Sequence, residues 1–249
     1  MIVRHAEPDY SIDNLTAKGH VEAELLAQRL SQVPDVLDCY MSPLGRAQAT
    51  AGYTLRRLER EAEVLPWLCE FRGKCFDPDY GRVRICWDLS PRLYHSHPEL
   101  NDADAWLSYP YFQDSNVETI WKETTDGVDA LLARYGYKWD GMVWKADQNR
   151  PGTLILFCHL GIGMAVMAHL MHLSPMVLWQ NFFVAPSSVT TLATEERFEH
   201  EVIWRCTQFG DISHLTGAGE TFSTAGLFPE CFCDRDTTNP PEWEDHFRP

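Results

Sequence analysis

The feature that most constrains this chain is Thr153-Leu-Ile-Leu-Phe-Cys158, a continuous apolar run with no polar alternation. Such a run suits a strand covered on both faces, which implies a parallel sheet with helices on either side. The preceding text agrees. Met1-Ile-Val3 reads as a short buried strand and the polar, proline-containing stretch 6–14 as a loop. Ala23, Leu26, Ala27 and Leu30 then recur at helical spacing after an N-cap at Thr16, with Pro34 beyond the end. Val36 to Met41 is a second strand, Ser42-Pro43 opens a helix with Arg46 in its first turn, and Val64 to Leu68 is a third strand. Residues 71–113, rich in aromatics, Pro, Asp and His, resist assignment. A long helix is expected over about 116–134, and a buried helix after Gly161-Ile-Gly163. Ser187 to Ala193 and Val202 to Thr207 add two late strands. The expected fold class is therefore α/β: a mainly parallel sheet with helices on both faces, carrying a helical or irregular cap insertion.

With 249 residues, 45% of them hydrophobic, the chain can bury one large core. One domain over 1–249 is expected, with the cap at about 72–150 and a C-terminal tail at about 229–249. Asp and Glu outnumber Lys and Arg by 36 to 21, so the overall field repels nucleic acid and anionic lipid. The longest apolar run, Leu160 to Leu173, is too short to span a membrane and is interrupted by His169 and His172. No export signal follows Met1, and the eight cysteines show no CxxC pair, so reduced thiols and a cytoplasmic location are expected. The closest pair, Cys231-Phe-Cys233, lacks matching ligands nearby and reads as ordinary tail sequence.

Open α/β sheets bind ligands at the carboxyl ends of their strands. Arg4-His5 follows one predicted strand and His159 another, so both histidines are expected at one sheet edge. An adjacent Arg-His pair has a chemical use there: imidazole can attack phosphorus while guanidinium holds phosphate oxygens. In chain order come Val3-Arg-His-Ala-Glu7, Leu15-Thr-Ala-Lys-Gly19, Ser42-Pro-Leu-Gly-Arg-Ala-Gln48, Glu70, and Cys158-His-Leu-Gly-Ile-Gly163. Together these resemble the histidine phosphatase superfamily, phosphoglycerate-mutase-like branch, over about residues 1–74 and 150–195. The resemblance implies that His5 becomes phosphorylated, that Arg4, Arg46 and His159 surround the phosphoryl group, and that Glu70 is the proton donor. Ala6 stands where the family has glycine.

On this reading Arg4, Arg46 and a protonated His159 supply positive charge, and His5 attacks as neutral imidazole with its tautomer fixed by a hydrogen bond, a backbone carbonyl being one such partner. Glu70 needs a desolvated carboxyl that stays protonated near working pH, with Glu7, Asp77 and Asp79 as rival acids. Arg46 at a helix start is unfavourable unless an anion lies nearby. Trp67, Arg72, Lys74, Arg82 and Arg84 are candidates for a substrate-binding cap surface. His95-Ser-His97 with Glu99, Asp102 and Asp104 has metal-binding residue types, but reads better as a solvated loop; His20, His169, His172 and His200 read as core or surface. No cofactor or metal is expected.

The expected activity is hydrolysis of a small phosphomonoester. A phosphomutase is the alternative, disfavoured because Leu68-Cys-Glu-Phe-Arg-Gly73 lacks the family's mutase signature and Ser11 stands where mutases carry asparagine. A catalytically idle phospho-ligand-binding protein is the third reading. The partner expected is a small phosphorylated substrate, not nucleic acid or membrane; oligomeric state stays open, a homodimer among the options.

Overall fold

The structure, a computed structural model, describes residues 1–147 and 151–227. The chain begins with β1 (Ile2–Arg4), a small ribbon of β2 (Pro8–Asp9) and β3 (Asn14–Leu15), and α1 (Ala17–Leu30). β4 (Val36–Met41), α2 (Gly45–Leu58) and β5 (Ala62–Val64) follow. Next come a hairpin of β6 (Lys74–Asp77) and β7 (Arg82–Ile85), α3 (Pro91–Ser96), and three short 3-10 turns between Pro98 and Phe112. The remainder is α4 (Val117–Ala133), β8 (Tyr137–Trp139), β9 (Trp144–Ala146), β10 (Thr153–Cys158), α5 (Leu160–Met171), α6 (Pro175–Asn181), β11 (Val189–Phe198), β12 (Glu201–Asp211) and α7 (Ser213–Thr216).

Among the described residues the main sheet has eight strands in the order β5-β4-β10-β1-β11-β12-β9-β8. The expected parallel pairing holds through β5, β4, β10 and β1. From β11 onward the pairing is antiparallel, so the sheet is mixed. β11 and β12 outrun their predicted lengths because they form a hairpin whose far half, Thr194 to Val202, is largely solvated and carries glutamates that mask a strand in sequence. The third predicted strand, Val64 to Leu68, is mostly not one. β5 stops at Val64 and Pro66, which has no N–H for a ladder, opens a 3-10 turn through Leu68.

Thr16 caps α1 as expected, its hydroxyl accepting from the Gly19 N–H at 3.0 Å, and Ala23, Leu26, Ala27 and Leu30 are buried against the sheet. Val3, Ile155 and Phe157, all fully buried, join them under one face. The larger cluster lies on the other face, where α5 is apolar all round and packs on α4 and α6. Of the stretch 72–150 read as a cap, α4 belongs to this layer and β8 and β9 extend the main sheet. Residues 72–116 fold back on the same cluster through Leu100, Trp106, Tyr109 and Phe112. The tail at 229–249, with Cys231-Phe-Cys233, lies outside the described residues.

Phe157 sits at the centre of the parallel half with no exposed surface. Phe157→Ala is expected to cost about 3–5 kcal/mol, seen as a lower denaturation midpoint at unchanged slope.

Candidate active site

The site follows from register. β1 pairs with β10 so that Arg4 lies opposite Cys158, and β10 pairs with β4 so that Phe157 lies opposite Met41. The next residue on each strand is His5, His159 and Ser42, so the three emerge side by side at the carboxyl edge. The His5 and His159 ring centroids are 5.0 Å apart. The Ser42 hydroxyl is 2.7 Å from His159 Nε2.

Backbone bonds pin the Arg4-His5 turn on both sides. The His5 N–H donates to the Cys158 carbonyl at 2.9 Å, while the Ser187 N–H donates to the His5 carbonyl at 3.0 Å. Ser187 adopts φ 60°, a strained conformation for a side-chain-bearing residue, and its hydroxyl meets His214 of α7 at 3.1 Å. Ala6 is no obstacle: it is not among the positive-φ residues, and its N–H donates to Thr50 Oγ1 at 3.0 Å. His5 Nδ1 is 2.8 Å from the Ala6 carbonyl, which can only accept. Nδ1 therefore carries the proton and Nε2 keeps its lone pair. Burial, reinforced by Arg46 and Arg4, holds the His5 pKa well below the ordinary histidine value, so this ring is neutral.

Both guanidinium groups are buried and anchored by the chain itself. Arg4 donates through Nη1 to the Val184 carbonyl at 2.6 Å and through Nη2 to the Ala225 carbonyl at 2.8 Å, with the Phe183 ring 5.5 Å from its Cζ. Arg46 donates through Nη1 to Asp13 Oδ1 at 2.5 Å, and Asp13 Oδ2 accepts the Gly45 N–H at 2.6 Å. The anion demanded by an arginine at this helix start is thus the chain's own Asp13 carboxylate. A side chain at Gly45 would meet the Asp13 carbonyl oxygen at 2.2 Å, which is why the approach needs glycine. The Tyr10 ring lies 5.3 Å from the Arg46 Cζ. Arg4 Nε, Arg46 Nε and His159 Nδ1 are buried without a hydrogen-bond partner among the described residues.

One expectation needs correction here. His159 is not held protonated: burial first, then Arg46, His5 and Arg4, push its pKa well below the ordinary value. Its contribution to an anion must come from a neutral ring. The basic residues of the predicted cap lie in several different surroundings. The field at His5, Glu70 and His159 comes from Arg4 and Arg46. Lys74 lines a separate shallow depression with Pro110, Tyr111 and Asp114, and Arg82 is exposed on the β6–β7 hairpin. Arg84 is buried between Asp88 at 2.6 Å and Asp77 at 3.5 Å, over the Tyr80 ring, and the Trp67 ring packs against Gly127 of α4. Arg72 is half-buried beside Cys69, its carbonyl accepting from Asn116 Nδ2.

Glu70 stands apart from its rival acids. Glu7 accepts from the Thr16 hydroxyl, Asp77 accepts N–H groups of Asp79 and Tyr80 in a turn, and Asp79 binds the Ser90 hydroxyl. Glu70 is buried beside both arginines, with Oε1 accepting from the Phe71 N–H at 2.8 Å and the Ile162 N–H at 2.9 Å. Those bonds favour the carboxylate, but burial outweighs them and raises its pKa. A side chain on Gly161 would meet Glu70 Oε1 at 2.7 Å, so glycine is what lets the carboxyl seat there.

The histidine-rich loop is used locally. His97 pairs with Glu99 at 2.9 Å and packs on Tyr109, and His95 packs on Tyr94. Among the described residues no group of three or more His, Cys, Asp or Glu is placed to hold a metal. The six described cysteines are free, and no described helix is long and apolar enough to cross a membrane.

Two histidines and two arginines are thus gathered at the carboxyl edge of the parallel half of an α/β sheet, and it is against this arrangement that the comparisons are set. Residues 1–80 match the family model described as the histidine phosphatase superfamily (branch 1), so the resemblance carried by the motif order stands. No curated protein matches the chain. Among solved structures, a mutant phosphoserine phosphatase from Entamoeba histolytica in complex with phosphoserine is 18% identical, at TM-score 0.56, covering 86% of this chain and 97% of its own. A mycobacterial glucosyl-3-phosphoglycerate phosphatase complexed with VO3 is 21% identical, at TM-score 0.53, covering 84% and 96%. These likenesses establish a shared fold.

One buried acid next to the site has a measurable signature. Glu22 of α1 accepts the Glu7 N–H through Oε2 at 2.8 Å, while Oε1 has no partner among the described residues. Burial raises its pKa to about 7. The unfolded chain releases this proton near 4.5 and the folded one near 7, so the folded state binds more protons between those values and stability falls as pH rises through that window. Wild type is expected to lose about 2 kcal/mol there from this group. Glu22→Gln should lack that loss in denaturation curves taken from pH 4.5 to 8.

Proposed function

We propose that this protein is a phosphatase that hydrolyses a small phosphomonoester through a phosphohistidine on His5. One observation carries the reading: Arg4 Nε, Arg46 Nε and His159 Nδ1, three buried groups without partners, belong to the side chains that surround a neutral, tautomer-fixed His5. Unpartnered buried N–H groups are costly, and a phosphate that accepts from them removes that cost. The two fixed positive charges counter the negative charge of the phosphoryl oxygens.

In the first step His5 Nε2 attacks phosphorus and a P–N bond forms as the ester P–O bond breaks. The leaving alkoxide takes the proton of Glu70, whose raised pKa keeps that proton available. In the second step a water attacks the phosphohistidine and gives a proton to the Glu70 carboxylate, and the P–N bond breaks to release inorganic phosphate. His5 and the protonated Glu70 are restored.

The phosphatases named among the solved structures act on phosphoserine and glucosyl-3-phosphoglycerate, which supports a small phosphorylated substrate for this chain too. Water as acceptor is favoured over a second phosphorylated alcohol. Leu68-Cys-Glu-Phe-Arg-Gly73 lacks the mutase signature and Ser11 stands where mutases carry asparagine, which supports water as the acceptor.

His5→Ala is expected to fold and to lose roughly 10⁴-fold or more of its turnover of an aryl phosphate, together with the acid-labile phosphoenzyme. Retained turnover in that variant would end the proposal. Glu70→Gln should slow alkyl phosphates by about 10²–10⁴-fold but activated aryl phosphates far less, because only poor leaving groups need the proton. Equal losses on the two substrates would place the acid elsewhere.

A further inference from the structure

Ser42 has a role that its motif alone does not reveal. Its oxygen lies 2.7 Å from His159 Nε2 and 3.2 Å from the Leu44 N–H, which donates to it. Its own N–H goes to the Phe157 carbonyl at 2.9 Å. Ser42 is fully buried, and among the described residues His159 Nε2 is the group in reach that could accept its hydroxyl proton.

A count of donors then separates the two neutral tautomers of His159. If Nε2 carried the proton, it would donate to Ser42, whose own hydroxyl proton would be buried without an acceptor. Nδ1 would turn a bare lone pair toward a site lined by phosphate-binding groups, where it would repel the oxygens. If Nδ1 carries the proton, the Ser42 hydroxyl donates to Nε2, the Leu44 N–H donates to Ser42, and the one group left over is the Nδ1 N–H. Only this arrangement satisfies Ser42 and leaves a donor for an anion. We propose that Ser42 is a positioning residue that locks His159 as the neutral Nδ1–H tautomer, so that this ring gives a phosphate oxygen a hydrogen bond without being charged.

The proposal rests on the phosphatase reading for its ligand but not for its chemistry. His5 and His159 become complementary neutral rings: the first holds its proton at Nδ1 toward Ala6 and keeps Nε2 for attack, the second accepts at Nε2 and donates at Nδ1. A cation between Arg4 and Arg46 is unnecessary, and phosphate binding need not fade as pH rises through the ordinary histidine range.

The test is long-range proton–nitrogen correlation NMR of the histidine rings at pH 7, with His159 assigned by its absence in His159→Asn, alongside titrations with inorganic phosphate. Wild type should show Nδ1 protonated and Nε2 bare in the free protein. Ser42→Ala should redistribute the His159 proton and weaken phosphate binding about tenfold, the effect of losing one hydrogen bond to a charged group. Ser42→Thr, which keeps the hydroxyl, should restore both. An Nε2–H ring or an imidazolium in wild type overturns the inference even if turnover is normal, and this measurement does not require the Ser42 variants to fold. An unchanged tautomer and affinity in Ser42→Ala overturns it equally. The tautomer and phosphate binding found as stated, in a protein that hydrolyses no phosphoester, would support the inference while removing the catalytic reading.

Discussion

The parallel register of β1, β10 and β4 is the constraint on which the rest depends. Arg4 opposite Cys158 puts His5 level with His159 at the sheet edge, and Phe157 opposite Met41 brings Ser42 in one residue lower on the neighbouring strand. A slip of a single residue would exchange the faces of every side chain on a strand and part His5 from His159. The apolar layers therefore do more than stabilise. Val3, Ile155 and Phe157 on one side, and α5 on the other, admit one register, and the chemistry at the edge inherits its geometry from that packing.

Electrostatics in the pocket are those of a dry place that keeps its charges on arginine. Guanidinium retains its proton under desolvation, whereas imidazole yields it, so burial of a mixed cluster sorts the groups by basicity. His5 and His159 become neutral, and Glu70 becomes harder to ionise. Protonation states that would compete in water are thereby separated, which is what the proposed roles of His5 and Glu70 need.

Much of this was legible from the chain alone. The apolar run at 153–158, the helical spacing after Thr16 and Ser42, and the motif order located the parallel half of the sheet and gathered Arg4, His5, Arg46, Glu70 and His159 at one edge. What stayed hidden depended on distance or burial. Asp13 was invisible as the partner of Arg46 because nothing local links a loop residue to a helix start 33 positions later. The charge of His159 was misread because composition says nothing about how dry a side chain is. Charge in sequence likewise does not reveal that Asp88 stands beside Arg84. Ser42 carried a signal that register could have exposed, since it follows its strand as His5 and His159 follow theirs.

The carbonyl of Ala225 on Arg4, from a segment more than two hundred residues away, bears on the thermodynamics of ligand capture. An arginine side chain loses on the order of 2 kcal/mol of rotational freedom when it is fixed. With Val184 and Ala225 holding both terminal nitrogens, that loss is incurred when the chain folds rather than when an anion arrives. The guanidinium meets its ligand as a stationary object. If an anion is bound here as proposed, the entropy of its association is thus set partly by the two carbonyls that hold the arginine in place.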